Sequence, residues 1–456
     1  MTRHPGWLAG SLLLLPLLLL CGGVLGALDW GGSITNSSQY ESQEDESEEE
    51  EFYQENTLSL YLSTSVGTHS EFAADAAYTF STDRVFLLEL RQAHLSRRVE
   101  PQAGPARFES RIGRFNSADP TGEVLRHTLD GVRLGFFFSA LDLELTAGYT
   151  GFLLQPSADV SLSRLDQADD EEEEFFAPSR LIGQLSLSMP ELFLGQSLAV
   201  ALLFQEDLRN PDSADLVEPG EDTLQPTRGG LLDTQYAVLS LSGPLAGNLF
   251  YTLYGVANTG RTLSFVEDAV SATGEAYEYR PFLAGLFGLR LDYVMPDFLS
   301  SRASLFGRFG TGDNDYTSYT EGNSDGKATH FTPITAVSVG EVLGVEPGNS
   351  AHLGVSFSVR PFASSPRGWA RRLQGELSAY SFFRTAGTGV TSVSAVDSGT
   401  DQAYLGSEVD FALRARPYSD FGIGITTGLF VANSNAFFDE AREIDFLVRL
   451  DASLSF

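Results

Sequence analysis

Ile444-Asp445-Phe446-Leu447-Val448-Arg449-Leu450-Asp451-Ala452-Ser453-Leu454-Ser455-Phe456, the last stretch of the chain, decides the fold. Its even positions are apolar throughout, while Asp445, Arg449, Asp451, Ser453 and Ser455 stand at odd ones. A period of two sends alternate side chains to opposite faces of an extended strand. One face meets an oily phase and the other water. A two-faced strand closing on Phe456 has the form of the C-terminal assembly signal of an outer-membrane barrel, with the aromatic in the girdle at one membrane boundary. Membrane lipid and the barrel-assembly machinery are then the expected partners of this strand. A soluble β-sandwich ending on Phe is the rival reading; it leaves unexplained why so many other strands are two-faced.

The same alternation runs through Leu353 to Arg360, Leu141 to Leu145, Leu405 to Arg414 and Phe421 to Ile425. In the third of these, Leu405, Val409, Phe411 and Leu413 are read on one face against Glu408, Asp410 and Arg414 on the other. No later run approaches the length of apolar chain that a spanning helix needs, and helical spacing is not sustained. Strand segments recur from residue 57 to the end, with a weak extra candidate near 331 to 342. Their number comes out odd, whereas a single-chain barrel with both ends on one side needs an even one, so an all-β, up-and-down antiparallel transmembrane β-barrel of 16 to 18 strands is expected. From residue 139 onward, short turns rich in proline, such as Pro296 to Ser300 and Pro417 to Asp420, alternate with long connections near 154–179, 207–231, 259–279, 312–350, 384–401 and 433–442. Short turns belong on the periplasmic side and long loops outside. Before residue 139 the alternation is not legible.

Residues 1–26 read as a secretory signal peptide: Arg3 and His4 precede an apolar run over Leu12 to Leu20, followed by small residues up to a cut after Gly26. Cys21, the only cysteine, leaves with it. Residues 27–55 read as an acidic, flexible extension, and residues 56–456 as the barrel. The net charge of −32 argues against nucleic acid as a partner, because phosphate binding needs a basic face. Acidic runs at Glu41 to Glu51 and Asp166 to Glu174 are read as solvated segments, with divalent-cation capture as the functional alternative. Asp313-Asn314-Asp315 and Asn323 to Gly326 carry oxygen ligands suited to Ca²⁺, without the spacing of an EF-hand.

Of the 29 basic residues only Lys327 is a lysine. In the strand registers Arg91, Arg111, Arg133, Arg290, Arg308, Arg360, Arg414 and Arg449 fall on the polar face, as do Glu89, Asp142, Glu144, Asp292, Glu376, Glu408, Asp410 and Asp451. An Arg at mid-depth on the lipid face costs about 2–4 kcal/mol, so these residues are assigned to a water-filled lumen as pore-lining groups. A barrel plugged by paired Arg and carboxylate is the competing reading. No zinc-protease spacing, nucleophile elbow or phosphate loop is present, so neither an enzyme nor a cofactor is expected; an outer-membrane hydrolase is the weaker alternative. His352 falls on the inward register and is read as a lumen histidine.

Tyr404-Leu405-Gly406-Ser407-Glu408-Val409-Asp410-Phe411, with Pro417 and the strand Phe421 to Phe430, resembles the C-terminal motif of the alginate-export family of outer-membrane proteins. Arg111-Ile112-Gly113-Arg114-Phe115 and Asp130-Gly131-Val132-Arg133-Leu134 resemble that family's N-terminal strands. The resemblance implies an 18-stranded monomeric barrel whose lumen arginines help an anionic polysaccharide across, with Arg111, Arg114, Arg133, Glu408 and Asp410 as lumen or structural residues. The acidic loops and the near absence of lysine depart from that pattern. The expected function is an outer-membrane channel for hydrophilic solutes, against a sealed surface-exposed structural or adhesive barrel.

Overall fold

A computed structural model describes residues 25–42, 51–82, 86–101, 104–150, 160–161, 179–209, 232–267, 275–316, 326–438 and 443–456. The strands are β1 (Leu25–Ser42), β2 (Glu51–Val66), β3 (Ser70–Ser81), β4 (Leu87–Val99), β5 (Arg107–Ala118), β6 (Arg126–Phe137), β7 (Asp142–Tyr149), β8 (Arg180–Phe193) and β9 (Gln196–Asp207). They continue as β10 (Leu232–Ala246), β11 (Leu249–Glu267), β12 (Glu275–Met295), β13 (Ser301–Gly310), β14 (Ser350–Val359), β15 (Gln374–Arg384), β16 (Tyr404–Ala415), β17 (Phe421–Ala432) and β18 (Ile444–Ser455). All 18 form one sheet in which each strand pairs antiparallel with its sequence neighbours, and β1 pairs with β18 to close the ring. Closure removes every edge, which is what lets backbone polar groups sit in a hydrocarbon layer.

The closing seam explains the last residue. Phe456 and Gly32 exchange backbone hydrogen bonds at 3.0 Å in each direction. The Phe456 ring lies over Gly32, where a Cβ would come within 2.6 Å of its Cζ and 2.7 Å of the Ser59 carbonyl. Leu450, Leu454 and Phe456 are exposed on the outer face, and on β1 so are Leu28, Trp30 and Ile34. Exposed aromatics also gather toward both ends of the strands, Tyr78, Phe80 and Phe86 at the long-loop end and Tyr293, Phe298 and Phe357 at the short-turn end. This is the pair of girdles that a spanning barrel shows.

Three expectations need correction. The segment 27–55 is not an extension: its first part is β1, which runs in unbroken register with β2 from Leu28↔Thr64 to Glu41↔Glu51, so the barrel starts there and not at residue 56. The candidate strand at 331 to 342 is instead part of a long loop, with only isolated bridges at Thr335 and Val339. Adding β1 to the segments that recur from residue 57 gives the even count of 18. The long connection at 259–279 is mostly strand as well, since β11 and β12 pair from Leu249↔Tyr293 up to Glu267↔Glu275. Residues 1–24 of the expected signal peptide, the acidic run Glu41 to Glu51 except residues 41–42 and 51, the acidic run Asp166 to Glu174, and residues 317–325 lie outside the described residues.

Turns now alternate from the start. Residues 67–69, 100–106 and 138–141 join strands at one end, and 43–50, 82–86 and 119–125 at the other. These early connections are of similar length at both ends, which is why the sequence hid the pattern there. A bulge between Phe382 and Phe383 in the β15–β16 pairing also resets the alternation. Leu405 therefore turns inward and is fully buried against Phe382, Phe430 and Phe437, rather than sharing the outer face with Val409 and Phe411.

Candidate pore and its lining

The inside of the barrel has two unlike walls. On β8 to β12 the inward face carries an apolar patch: Ile182, Leu203, Tyr236, Val256 and Leu286 are buried although they point away from lipid. The loop 311–349 between β13 and β14 covers them, packing Ala328, Phe331 and Ile334 against this wall, and Val124 and Leu125 from the 119–125 loop join the same cluster. Segments such as Leu198 to Phe204 are accordingly apolar on both faces, one for lipid and one for the loop.

Polar anchors hold the loop in place. Tyr236 Oη donates to the Thr332 carbonyl at 2.7 Å, and the Thr335 N–H donates to the Val124 carbonyl at 2.9 Å. Arg308 reaches three partners, donating at 3.0 Å to Glu123, at 3.0 Å to the Val337 carbonyl and at 3.1 Å to the Val345 carbonyl. Glu408 accepts the backbone N–H groups of Val342 and Leu343 at 2.9 and 3.0 Å, one on each oxygen. Arg449 pairs with Glu341 at 2.8 Å. His330, in this loop, stacks on Tyr316 at 4.7 Å between ring centroids. Burial pushes its imidazole down to about 3, with Asp313 pulling the other way.

Arginine serves these anchors for a geometric reason. Arg180, fully buried at the head of β8, donates to the Ser161 carbonyl and the Gln205 amide oxygen. Arg384, the last residue of β15, donates to the carbonyls of Asp397, Thr400 and Gln402. A planar guanidinium with five N–H donors satisfies several carbonyls at once, and an ammonium group is too compact to do so. Two arginines of this kind, Arg180 and Arg384, were not singled out in the sequence. Their signal is an arginine at the long-loop end of a strand.

The second wall, on β3 to β7, stays polar and open. Here Arg91 donates to Ser59 Oγ at 3.0 Å. Arg133 sits 3.4 Å from Glu144, donates to the Asn116 carbonyl at 2.7 Å and lies 5.0 Å from the Phe115 ring centre. A cavity of about 630 Å³ brings Arg91, Arg133 and Glu144 together with Asp75, Glu89 and Arg126. Arg111 stands opposite Arg133 in the register, one like charge beside another. A water-filled lumen tolerates that pairing and a dry plug does not.

The remaining assigned residues fall elsewhere. Arg308, Glu408 and Asp410 are buried, the first two as loop anchors. Arg290 pairs with Asp292 at 3.0 Å, and both bond Ser304. Asp451 accepts from Ser37 Oγ at 2.9 Å and lies 3.6 Å from Arg449. Asp142 begins β7, Glu376 lies near the start of β15 and Arg414 near the end of β16, all at the short-turn end. Arg360 lies beyond the end of β14, exposed in the turn before the short helix α1 (Gly368–Arg371), so it is not on a strand. Arg114, one of the residues carried by the family resemblance, is buried in a two-pronged pair with Asp130 at 2.9 and 2.6 Å. His352 is buried among Phe306, Tyr380 and Phe382. Asp313 turns both oxygens to its own loop, accepting from the N–H groups of Asp315 and Thr329. Among the described residues no group of three or more acidic, His or Cys side chains is arranged to hold a metal ion.

No protein-family model matches the chain, and no curated protein matches it. Solved structures do. OpdO of Pseudomonas aeruginosa superposes with a TM-score of 0.53 at 11% identity, over 94% of this chain and 97% of that one. OccK8 (OprE) of the same organism gives 0.53 at 10% identity, over 94% and 98%, and its OccK11 (OpdR) gives 0.52 at 13%, over 94% and 96%. This chain is thus similar over nearly its whole length to outer-membrane porins, and the similarity is one of fold.

Proposed function

We propose that this protein is an outer-membrane channel that passes small hydrophilic solutes through the open half of its lumen. The observation that carries the reading is the charged wall on β3 to β7. Arg133 and Glu144 keep 21% and 32% of their side-chain surface exposed, and they face a cavity instead of packed side chains. A ring of 18 strands encloses enough space for an aqueous path unless something fills it. The loop 311–349 covers one wall, and the other supplies both signs of charge. Arg91, Arg111, Arg133, Glu144 and their neighbours are read as pore-lining, and the fold shared with Pseudomonas aeruginosa porins supports that role. The finer alginate-export reading rests on the segments around Arg111 and Glu408 alone, and Glu408 here serves loop anchoring.

Planar-bilayer recording of the refolded barrel under a salt gradient tests the proposal. Discrete conductance steps with a defined reversal potential are the expected result. A folded but silent barrel transfers the reading to a sealed surface protein, which the anchoring of the inner loop by Arg308, Glu408 and Tyr236 favours.

A further inference from the structure

The mouth of the barrel carries a hollow separate from the charged lumen wall. It lies at the long-loop end, between residues 385–403, which join β15 to β16, and residues 433–438, which follow β17. The two segments meet through one antiparallel bridge, Val396↔Phe437. Beside it the Asp397 N–H donates to the Ala436 carbonyl at 2.9 Å and the Phe438 N–H to the Ala395 carbonyl at 3.1 Å. Neighbouring side chains in extended backbone point to opposite sides. Val396 and Phe437 accordingly turn down onto Phe382, Leu405 and Phe430, where they are buried, and Asp397 and Phe438 turn up to line the hollow. With 66% of its surface exposed, Phe438 is a large apolar ring held out among polar neighbours.

The hollow encloses about 520 Å³, inside the ~300–1,000 Å³ range of small-molecule sites. Thr388, Asp397, Asp401, Gln402 and Asn435 line it with Phe438. Its frame is fixed from behind, because buried Arg384 donates to the carbonyls of Asp397, Thr400 and Gln402 at 2.9, 2.5 and 3.1 Å. The backbone that presents these groups is therefore set before anything binds. Asp397 spends one oxygen on its own turn, accepting the Gly399 N–H at 2.7 Å. Among the described residues, the side chains of Asp401, Gln402 and Asn435 take no hydrogen-bond partner.

We infer that this hollow is a binding site for a neutral hexose unit of glucose type, presented by an oligosaccharide. A pyranose with equatorial hydroxyls has an apolar face of axial C–H bonds, which packs on the Phe438 ring, and a rim of hydroxyls around it. Each hydroxyl both donates and accepts, and so matches a rim that mixes the two functions. Asp401 and the second oxygen of Asp397 accept from the sugar, while the amides of Gln402 and Asn435 and the Thr388 hydroxyl can serve either way. A bare cation would use only the two carboxylates, whose charge the Arg384 guanidinium behind them partly offsets. The inference depends on the folded loops alone, and it stands or falls apart from channel activity.

Saturation-transfer NMR on the refolded full-length barrel, in a polyoxyethylene detergent that carries no sugar head, tests it with maltotriose, cellotriose and spermidine as probes. Saturation should reach the ring C–H protons of at least one trisaccharide. Phe438→Ala and Asp401→Ala should each weaken its binding about tenfold, the effect of losing one stacking or charge-assisted contact, and Phe438→Trp should retain it. Migration of unheated samples on a gel reports whether each variant folds; if Asp401→Ala does not, Gln402→Ala with Asn435→Ala tests the rim. A sugar in solution and a glycan fixed to a surface present the same unit. Retention of the barrel on immobilised amylose or cellulose would identify a fixed glycan as the source, and trisaccharide binding without such retention a free solute. Absence of transfer to both trisaccharides, or transfer unchanged in the folded alanine variants, overturns the site. Preference for spermidine overturns the neutral-sugar assignment.

Discussion

Arg308 on β13 and Glu123 in the loop after β5 meet inside the barrel at 3.0 Å, joining segments 185 residues apart. The same guanidinium holds two carbonyls of the long loop, so one side chain ties both loops to the wall. Removing one partner of such a buried pair costs about 3–5 kcal/mol, because the other charge is left without compensation. Arg308→Ala should therefore release the loop 311–349, raising single-channel conductance and the rate of proteolytic cleavage within it. Arg308→Lys should behave much the same, since an ammonium group does not span all three acceptors. Wild-type conductance and cleavage in both variants would remove the latch from the account.

Ion selectivity should depend on the open wall. Arg91 and Arg133 face the same cavity, and neither is enclosed by the loop. A unit charge about 8 Å from a passing ion in water contributes about 0.5 kcal/mol, a little over twofold in relative permeability. Arg91→Gln with Arg133→Gln should shift preference about fivefold toward cations, read as the reversal potential under a salt gradient. Arg308→Gln alone should move selectivity less than conductance. The reverse ranking would place the ion path against the other wall.

The lumen of this barrel was only partly legible in the sequence, and the reasons lie in particular residues. Ile444 to Phe456 declared a two-faced strand because every even residue is apolar while Asp445, Arg449, Asp451, Ser453 and Ser455 make the other face polar, even where the inner loop covers it. β1 escaped notice because Gly31, Gly32, Asn36, Ser37 and Ser38 dilute the alternation; Gly32 is there for the Phe456 ring, and Ser37 for Asp451. Leu198 to Phe204 lost its period because the loop supplies an apolar partner on the inner face. Arg308 and Glu408 have the parity of pore residues, and parity carries no information about what a loop from elsewhere in the chain will cover. Inward direction was readable from the sequence; exposure to the lumen was not.

Barrel closure should be sensitive to Gly32. Any side chain at this position meets both the Phe456 ring and the Ser59 carbonyl, and the carbonyl is backbone of the paired strand. Overpacking of this kind costs about 1–3 kcal/mol where neighbours yield, and a closed seam yields little. Gly32→Val should reduce the fraction of heat-modifiable, folded barrel, and Phe456→Ala in the same chain should restore part of it by vacating the space. If the double variant folds no better than Gly32→Val, the ring contact is not the cause.

Acid should loosen the inner loop through His330. Its imidazole is fully enclosed and stacked on Tyr316, with a folded-state value near 3 against the ordinary 6.5. Between those values the released loop binds a proton that the packed loop refuses, so stability rises with pH across that window and is lost as pH falls through it. The loss is at most about 1.4 kcal/mol per pH unit. Cleavage within 311–349 by an acid-tolerant protease should therefore increase steadily from pH 6.5 toward pH 4, with conductance rising in parallel. His330→Phe keeps the stacked ring without the titration, and it should flatten both profiles while leaving the behaviour at pH 7.5 near wild type. Profiles that remain steep in this variant would assign the acid response to groups other than His330.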